Sequence, residues 1–173
     1  ENFKNAMENG LLQGPITQLL PNFRLIDPAG VEFDFGYPVR GYEAPFGRAQ
    51  FVFEYDSAKV AKPPKNFAEL KQWIKDNPGK FTYPKPPDFT GSAFLRHVFI
   101  HAAGGPESLL GPFDQAKFDE VSAKTWAILN EIEPFLWRKG ATYPTGITQL
   151  NELFANGEVA FTFNYDPAQF GLA

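Results

Sequence analysis

Apolar positions recur at helical spacing in four stretches, and each stretch carries its own boundary signals. Phe67, Leu70, Trp73 and Ile74 form the first stripe. Asn66 followed by Glu69 reads as a capping arrangement before it, and Asn77-Pro78-Gly79 stops it. The second stripe is Phe94, Leu95, Val98, Phe99 and Ala102, opened near Thr90-Gly91-Ser92 and closed by Gly104-Gly105. The third starts about Asp114 and runs through Phe118, Val121, Thr125, Ile128 and Ile132, with Pro134 positioned to end it. In the fourth, Thr145 is an N-cap for Ile147 to Ala155, and Leu150, Leu153 and Phe154 face inward.

Between these helices lie short apolar runs of strand length: Ala49–Tyr55, Phe81–Tyr83 and Val159–Asn164. Strands alternating with helices of this length predict an α/β domain, a small mixed sheet flanked by helices. The first forty residues are less regular. They predict a short helix over Phe3–Glu8 ended by Asn9-Gly10, one helical turn between Gly14-Pro15 and Pro21, and two strands, Phe23–Ile26 and Val31–Phe35, joined at Asp27-Pro28-Ala29-Gly30. Tyr37 to Arg48, rich in Gly, Pro and aromatics, reads as a connection.

Composition narrows the function. The 173 residues suit one compact domain, with 43% hydrophobic and 21% charged residues. Aromatics reach 16%, more than a core of this size needs, which points to rings lining a groove or an interface. A net charge of −4 and scattered basic residues disfavour nucleic acid, whose affinity draws on clustered Lys and Arg. Cysteine is absent, so disulfides, thiolate metal sites and a Cys nucleophile are excluded. No apolar run is long enough for a membrane-spanning helix. His97 and His101 stand four apart on one helix face, the spacing of a metal pair, but the glutamate of the metalloprotease pattern is missing between them. They read as two half-exposed histidines on a helix flank.

From Tyr37 onward the order of signals resembles one lobe of the two-lobed solute-binding proteins of bacterial ABC importers, the group that includes maltodextrin-binding protein. Four stretches carry the resemblance. Tyr37-Pro38 leads through Glu43-Ala44 into a strand ending at Tyr55-Asp56; Pro63-Pro64-Lys65-Asn66-Phe67-Ala68-Glu69-Leu70 opens a helix; Phe99-Ile100-His101-Ala102-Ala103-Gly104-Gly105 closes the next one. The most specific is Leu153-Phe154-Ala155-Asn156-Gly157-Glu158-Val159-Ala160-Phe161-Thr162-Phe163-Asn164, a small helix, a tight turn and a buried strand ending in Asn. The segments 41–50 and 86–94 are most similar to the YnjB-like branch of that group.

The resemblance implies a type II periplasmic-binding-protein lobe. Residues 1–40 would be a hinge-proximal segment derived from the first lobe, and residues 41–173 the second lobe, with its return strand to the first lobe lying beyond Ala173. On this reading the chain is a piece of a longer, exported, periplasmic protein. That protein would close two lobes on a small-molecule ligand and hand it to the membrane permease of an ABC importer. No turnover, cofactor, metal or direct membrane insertion is implied.

Candidate ligand contacts follow from this frame. The loop Asp88-Phe89-Thr90-Gly91-Ser92 opens a helix, where exposed amides and hydroxyls would suit an anion or a polyhydroxyl compound; helix capping by Asp88, Thr90 or Ser92 is the alternative. Asn164, Tyr165 and Asp166 end the last strand, where Tyr165 can stack on a ligand and Asn164 or Asp166 can hydrogen-bond it; capping by Asp166 is again the alternative. Glu43, Phe46 and Gly47 lie in the connection between lobes, beside Arg48, which reads better as a surface ion-pair partner. Trp126, Trp137 and Tyr143 are more naturally core or interface rings. Nothing pairs Glu131, Glu133 and Glu158 for acid/base work, so a carbohydrate-active enzyme domain is the weaker alternative, as is a protein-interaction module with an aromatic surface.

Overall fold

The structure, a computed structural model, describes residues 2–45 and 49–165, and the chain divides into two compact units, Glu1–Ala49 and Gln50–Ala173. In the first unit, helix α1 (Asn2–Glu8) ends as expected at Asn9-Gly10. Gly10 takes φ +65°, its N–H donates to Met7 O, and the next amide, of Leu11, donates to Ala6 O. These two bonds satisfy carbonyls that the last helical turn leaves open.

The expected pair of strands forms differently. Phe23–Leu25 is a 3₁₀ turn, and so is Pro28–Gly30. The hairpin lies further along: β1 (Phe33–Asp34) pairs antiparallel with β2 (Tyr37–Pro38). Its two-residue turn is Phe35-Gly36, with φ +44° and +80°, the signs a type I′ turn requires. The Asp-Pro-Ala-Gly signal instead closes a local turn through Gly30 N–H to Asp27 O at 3.1 Å.

The second unit holds the core. β3 (Val52–Tyr55) and β4 (Phe161–Asn164) pair antiparallel, Val52 opposite Asn164 and Tyr55 opposite Phe161. Among the described residues the pairing in both ribbons is antiparallel, where a mixed sheet was anticipated. Phe81–Tyr83 is buried but does not join a ladder. Its flank is tied elsewhere: Trp137 N–H donates to Phe81 O and Ala160 N–H to Lys80 O. β3 is half-buried from Val52 to Glu54 and exposed at Tyr55, whereas Phe161, Thr162 and Phe163 of β4 are buried.

Four helices enclose this ribbon. α2 (Phe67–Asp76) starts at Asn66, whose side chain accepts from Glu69 N–H at 2.9 Å, while Glu69 receives Asn66 Nδ2 and the Lys65 amide. α4 (Gln115–Ile132) is capped by Asp114 and buries Val121, Thr125, Leu129 and Ile132; a 3₁₀ turn containing Pro134 ends it. α3 (Phe89–Ala102) buries Thr90, Gly91, Ala93, Phe94 and Val98, and α5 (Ile147–Ala155) buries Leu150 and Leu153. Phe94 of α3 stacks nearly parallel on Phe163 of β4, centroids 5.5 Å apart, and Phe53 and Phe81 meet Phe163 edge-on or tilted. Large rings arranged this way contribute about 1 kcal/mol each beyond the area they bury. Among the described residues no helix is long and apolar enough to cross a membrane.

Candidate functional site

Asp88 explains how the N-terminal end of α3 is built. Its Oδ1 accepts the amides of Thr90 at 2.9 Å and Gly91 at 3.0 Å, together with the Thr90 hydroxyl. Its Oδ2 accepts the amide of Ile147 at 3.2 Å. One carboxylate therefore caps two helices, α3 and α5. Burial alone would raise its pKa, but the bonds from Thr90, Gly91 and Ile147 outweigh that and hold it below the ordinary carboxylate value. Thr145 is not the cap of α5; its amide and hydroxyl go to Gln149, and Gly146 occupies the cap position.

In the loop Asp88–Ser92 the capping bonds are thus formed. The Thr90 and Gly91 amides already hold a carboxylate, so they offer no vacant anion cradle. Gly91 is required by packing: a Cβ there would sit 1.9 Å from Pro84 O. The remaining members point outward. Phe89 is 54% exposed and Ser92 is half-buried.

At the same edge the last strand ends. Asn164 and Tyr165 are both half-buried, and Tyr165 N–H donates to Asn164 Oδ1 at 2.8 Å. The Tyr165 ring lies 5.3 Å from Phe89 and 5.4 Å from Phe51, centroid to centroid. Two segments 76 residues apart in sequence, opened by Phe89 and closed by Tyr165, are thus brought to one rim. Asp166, Phe46, Gly47 and Arg48 lie outside the described residues. Glu43 is half-buried in the first unit, where burial and then the nearby Asp34 raise its pKa.

Three rim residues escaped sequence reasoning. Phe51 precedes β3, and the register that sets Val52 against Asn164 places it opposite Tyr165. His97 packs on Phe51 at 5.0 Å with its Nδ1 2.8 Å from Ala93 O, while His101 packs on Phe67 at 4.8 Å. The guanidinium of Arg96 stands 5.8 Å from the centre of the Phe89 ring. The available signal was the alternation Phe51-x-Phe53 and Phe161-x-Phe163-x-Tyr165, legible once the two strands are known to be neighbours.

The other candidates are engaged elsewhere. Trp137 is buried, with Nε1 donating to Glu158 Oε2 at 3.1 Å. Tyr143 packs on Tyr83 and donates to Glu133 Oε1 at 3.3 Å. Glu131 binds Lys71 and Lys75. The three carboxylates each have a different partner. Trp126 remains 62% exposed.

The second unit is thus an α/β unit in which the end of β4 and the start of α3 converge on an aromatic rim. The model of the bacterial extracellular solute-binding protein family matches residues 1–173, and the chain belongs to that family. It is 37% identical over 169 residues to Protein YnjB of Escherichia coli strain K12, an overlap of 97% of this chain and 44% of that protein. The chain therefore spans less than half the length of this relative. No solved structure matches it.

Proposed function

We propose that the chain forms the second lobe, from residue 41 on, of an extracytoplasmic receptor, with residues 1–40 as the hinge-proximal part derived from the first lobe. The complete protein captures a small molecule between two lobes and delivers it to the permease of an ABC importer. Ligand bridges both lobes only when they are closed, so binding shifts the population toward closure. The reaction is capture and release without turnover; the separate engagement of Glu131, Glu133 and Glu158 supports this.

The observation that carries this reading is the meeting of Phe89 and Tyr165, rings from the start of α3 and the end of β4. The rim lies where β4 ends and β3 begins, and the partly exposed rings there supply apolar faces for stacking. In this role Tyr165 and Phe89 stack on the ligand, Asn164 and Ser92 offer polar contacts, and Asp88 positions the loop without touching the ligand. Glu43, Phe46, Gly47 and Asp166 are further proposed ligand contacts, on the resemblance to the family alone.

A thermal-shift screen of small molecules on the full-length protein tests the reading. The hit loses at least about tenfold in affinity in Tyr165→Ala, the equivalent of about 1.4 kcal/mol, and a smaller amount in Ser92→Ala. Unchanged affinity in both variants removes this rim from the ligand site.

A further inference from the structure

The two-helix face formed by α3 and α4 carries an open groove of about 420 Å³. Its walls include Phe99 of α3 and Phe118 and Trp126 of α4; its polar residues are Ser92, Arg96, Ser122 and Thr125. Phe118 and Trp126 are 45% and 62% exposed, and Phe99 and Phe118 face each other at 5.7 Å. Large rings left this open on a helix face, around a concavity, mark a surface suited to binding.

Charge narrows the occupant. Arg96 makes no ion pair among the described residues, and its guanidinium stands over the face of Phe89. Asp88, the carboxylate that opens α3, is committed to helix caps on both oxygens. No acidic side chain lines the groove. Arg96 therefore presents an unspent planar cation at the mouth of an apolar slot, with the Ser92 hydroxyl one helical turn before it. A guanidinium matches a carboxylate through two parallel N–H···O bonds, and its worth rises where rings exclude water around it.

We propose that this groove is a binding site for a flat-ringed carboxylate. The ring lies against Trp126, Phe118 and Phe99, and the carboxylate meets Arg96 with support from Ser92 and Ser122. The groove shares Ser92 with the proposed rim site, and its Arg96 stands against Phe89 of that rim; Trp126 and Phe118 belong to the groove alone.

The test is titration calorimetry of the full-length protein with 1-naphthoate and with the neutral 1-naphthamide. Naphthoate binds, and naphthamide binds at least tenfold more weakly. Arg96→Gln removes that preference; Trp126→Ala weakens naphthoate at least tenfold; Tyr165→Ala leaves it unchanged. Raising salt weakens naphthoate and not naphthamide. Absence of naphthoate binding, as when the rest of the full-length protein covers the groove, overturns the proposal. So does binding that Arg96→Gln and Trp126→Ala leave intact. Loss in Tyr165→Ala with no loss in Trp126→Ala puts the probe on the rim, which overturns the groove and leaves the rim reading standing.

Discussion

The two units of this chain are organised by different means. In the second, Ile74, Phe81, Phe94, Val98, Ile132, Leu150, Val159 and Phe163 are fully buried and shared among all four helices and the β3–β4 ribbon. In the first, Val39 is the single buried side chain among those described, and Leu11, Leu19, Leu25 and Phe35 are more than 70% exposed. One unit holds its elements by a common core, the other by turns: Gly10 after α1, Phe35-Gly36 in the hairpin, 3₁₀ turns between. A core couples distant residues, so a change in one element is felt in the others; turns confine a change to its neighbourhood.

That contrast can be broken by substitution. Phe163→Ala removes a ring that touches Phe51, Phe53, Phe81 and Phe94. It should cost about 4 kcal/mol in urea denaturation, whereas Leu19→Ala in the first unit should cost less than about 0.5 kcal/mol. Comparable losses would mean that the first unit has a core of its own. Next is Gly91→Ala, whose new methyl would overlap the Pro84 carbonyl; a loss of about 3 kcal/mol is expected because backbone, not a flexible side chain, is in the way.

Asp88→Ala uncaps α3 and α5 together and should cost about 2 kcal/mol, a smaller effect than core truncation but spread over two helices. Its pH dependence has a definite sign. The folded pKa lies below the ordinary 3.8, so the stabilisation is complete above that value and is lost as pH falls through the lowered one. Acid titration of wild type against Asp88→Ala should therefore converge only at low pH; convergence near neutrality would contradict the capping role. Smaller again, though above the Leu19→Ala change, is Gly36→Ala. No atom stands within 4 Å of the added methyl, so the penalty is the φ of +80° alone, about 1 kcal/mol. Limited proteolysis should place the opening within the first unit.

Local chemistry made much of this legible. Asn66 with Glu69 marked the start of α2, Asp114 that of α4, and Asn156-Gly157 the turn from α5 toward β4, because each signal acts within four residues. The misses are longer-range. Asp88 displaced Thr145 as the partner of the α5 amide from 59 positions away, which no window along the chain reveals. α3 is apolar on most sides, so Phe94 and Val98 were placed inward correctly, while Phe99 turned to the groove. Phe35 adopts a positive φ that a phenylalanine rarely takes, which hid the hairpin one turn beyond its anticipated place. At the rim, the sequence named Phe89 and Tyr165, but Phe51, His97 and Arg96 entered only through strand register and helix packing.

Hydrogen–deuterium exchange on the full-length protein, with and without the compound returned by the thermal screen, reads the rim directly. Added protection should appear together in 89–95 and 161–165, the two segments that the Phe89–Tyr165 contact joins. Protection confined to other parts of the protein, with both segments exchanging as before, would contradict the assignment of this rim to ligand capture.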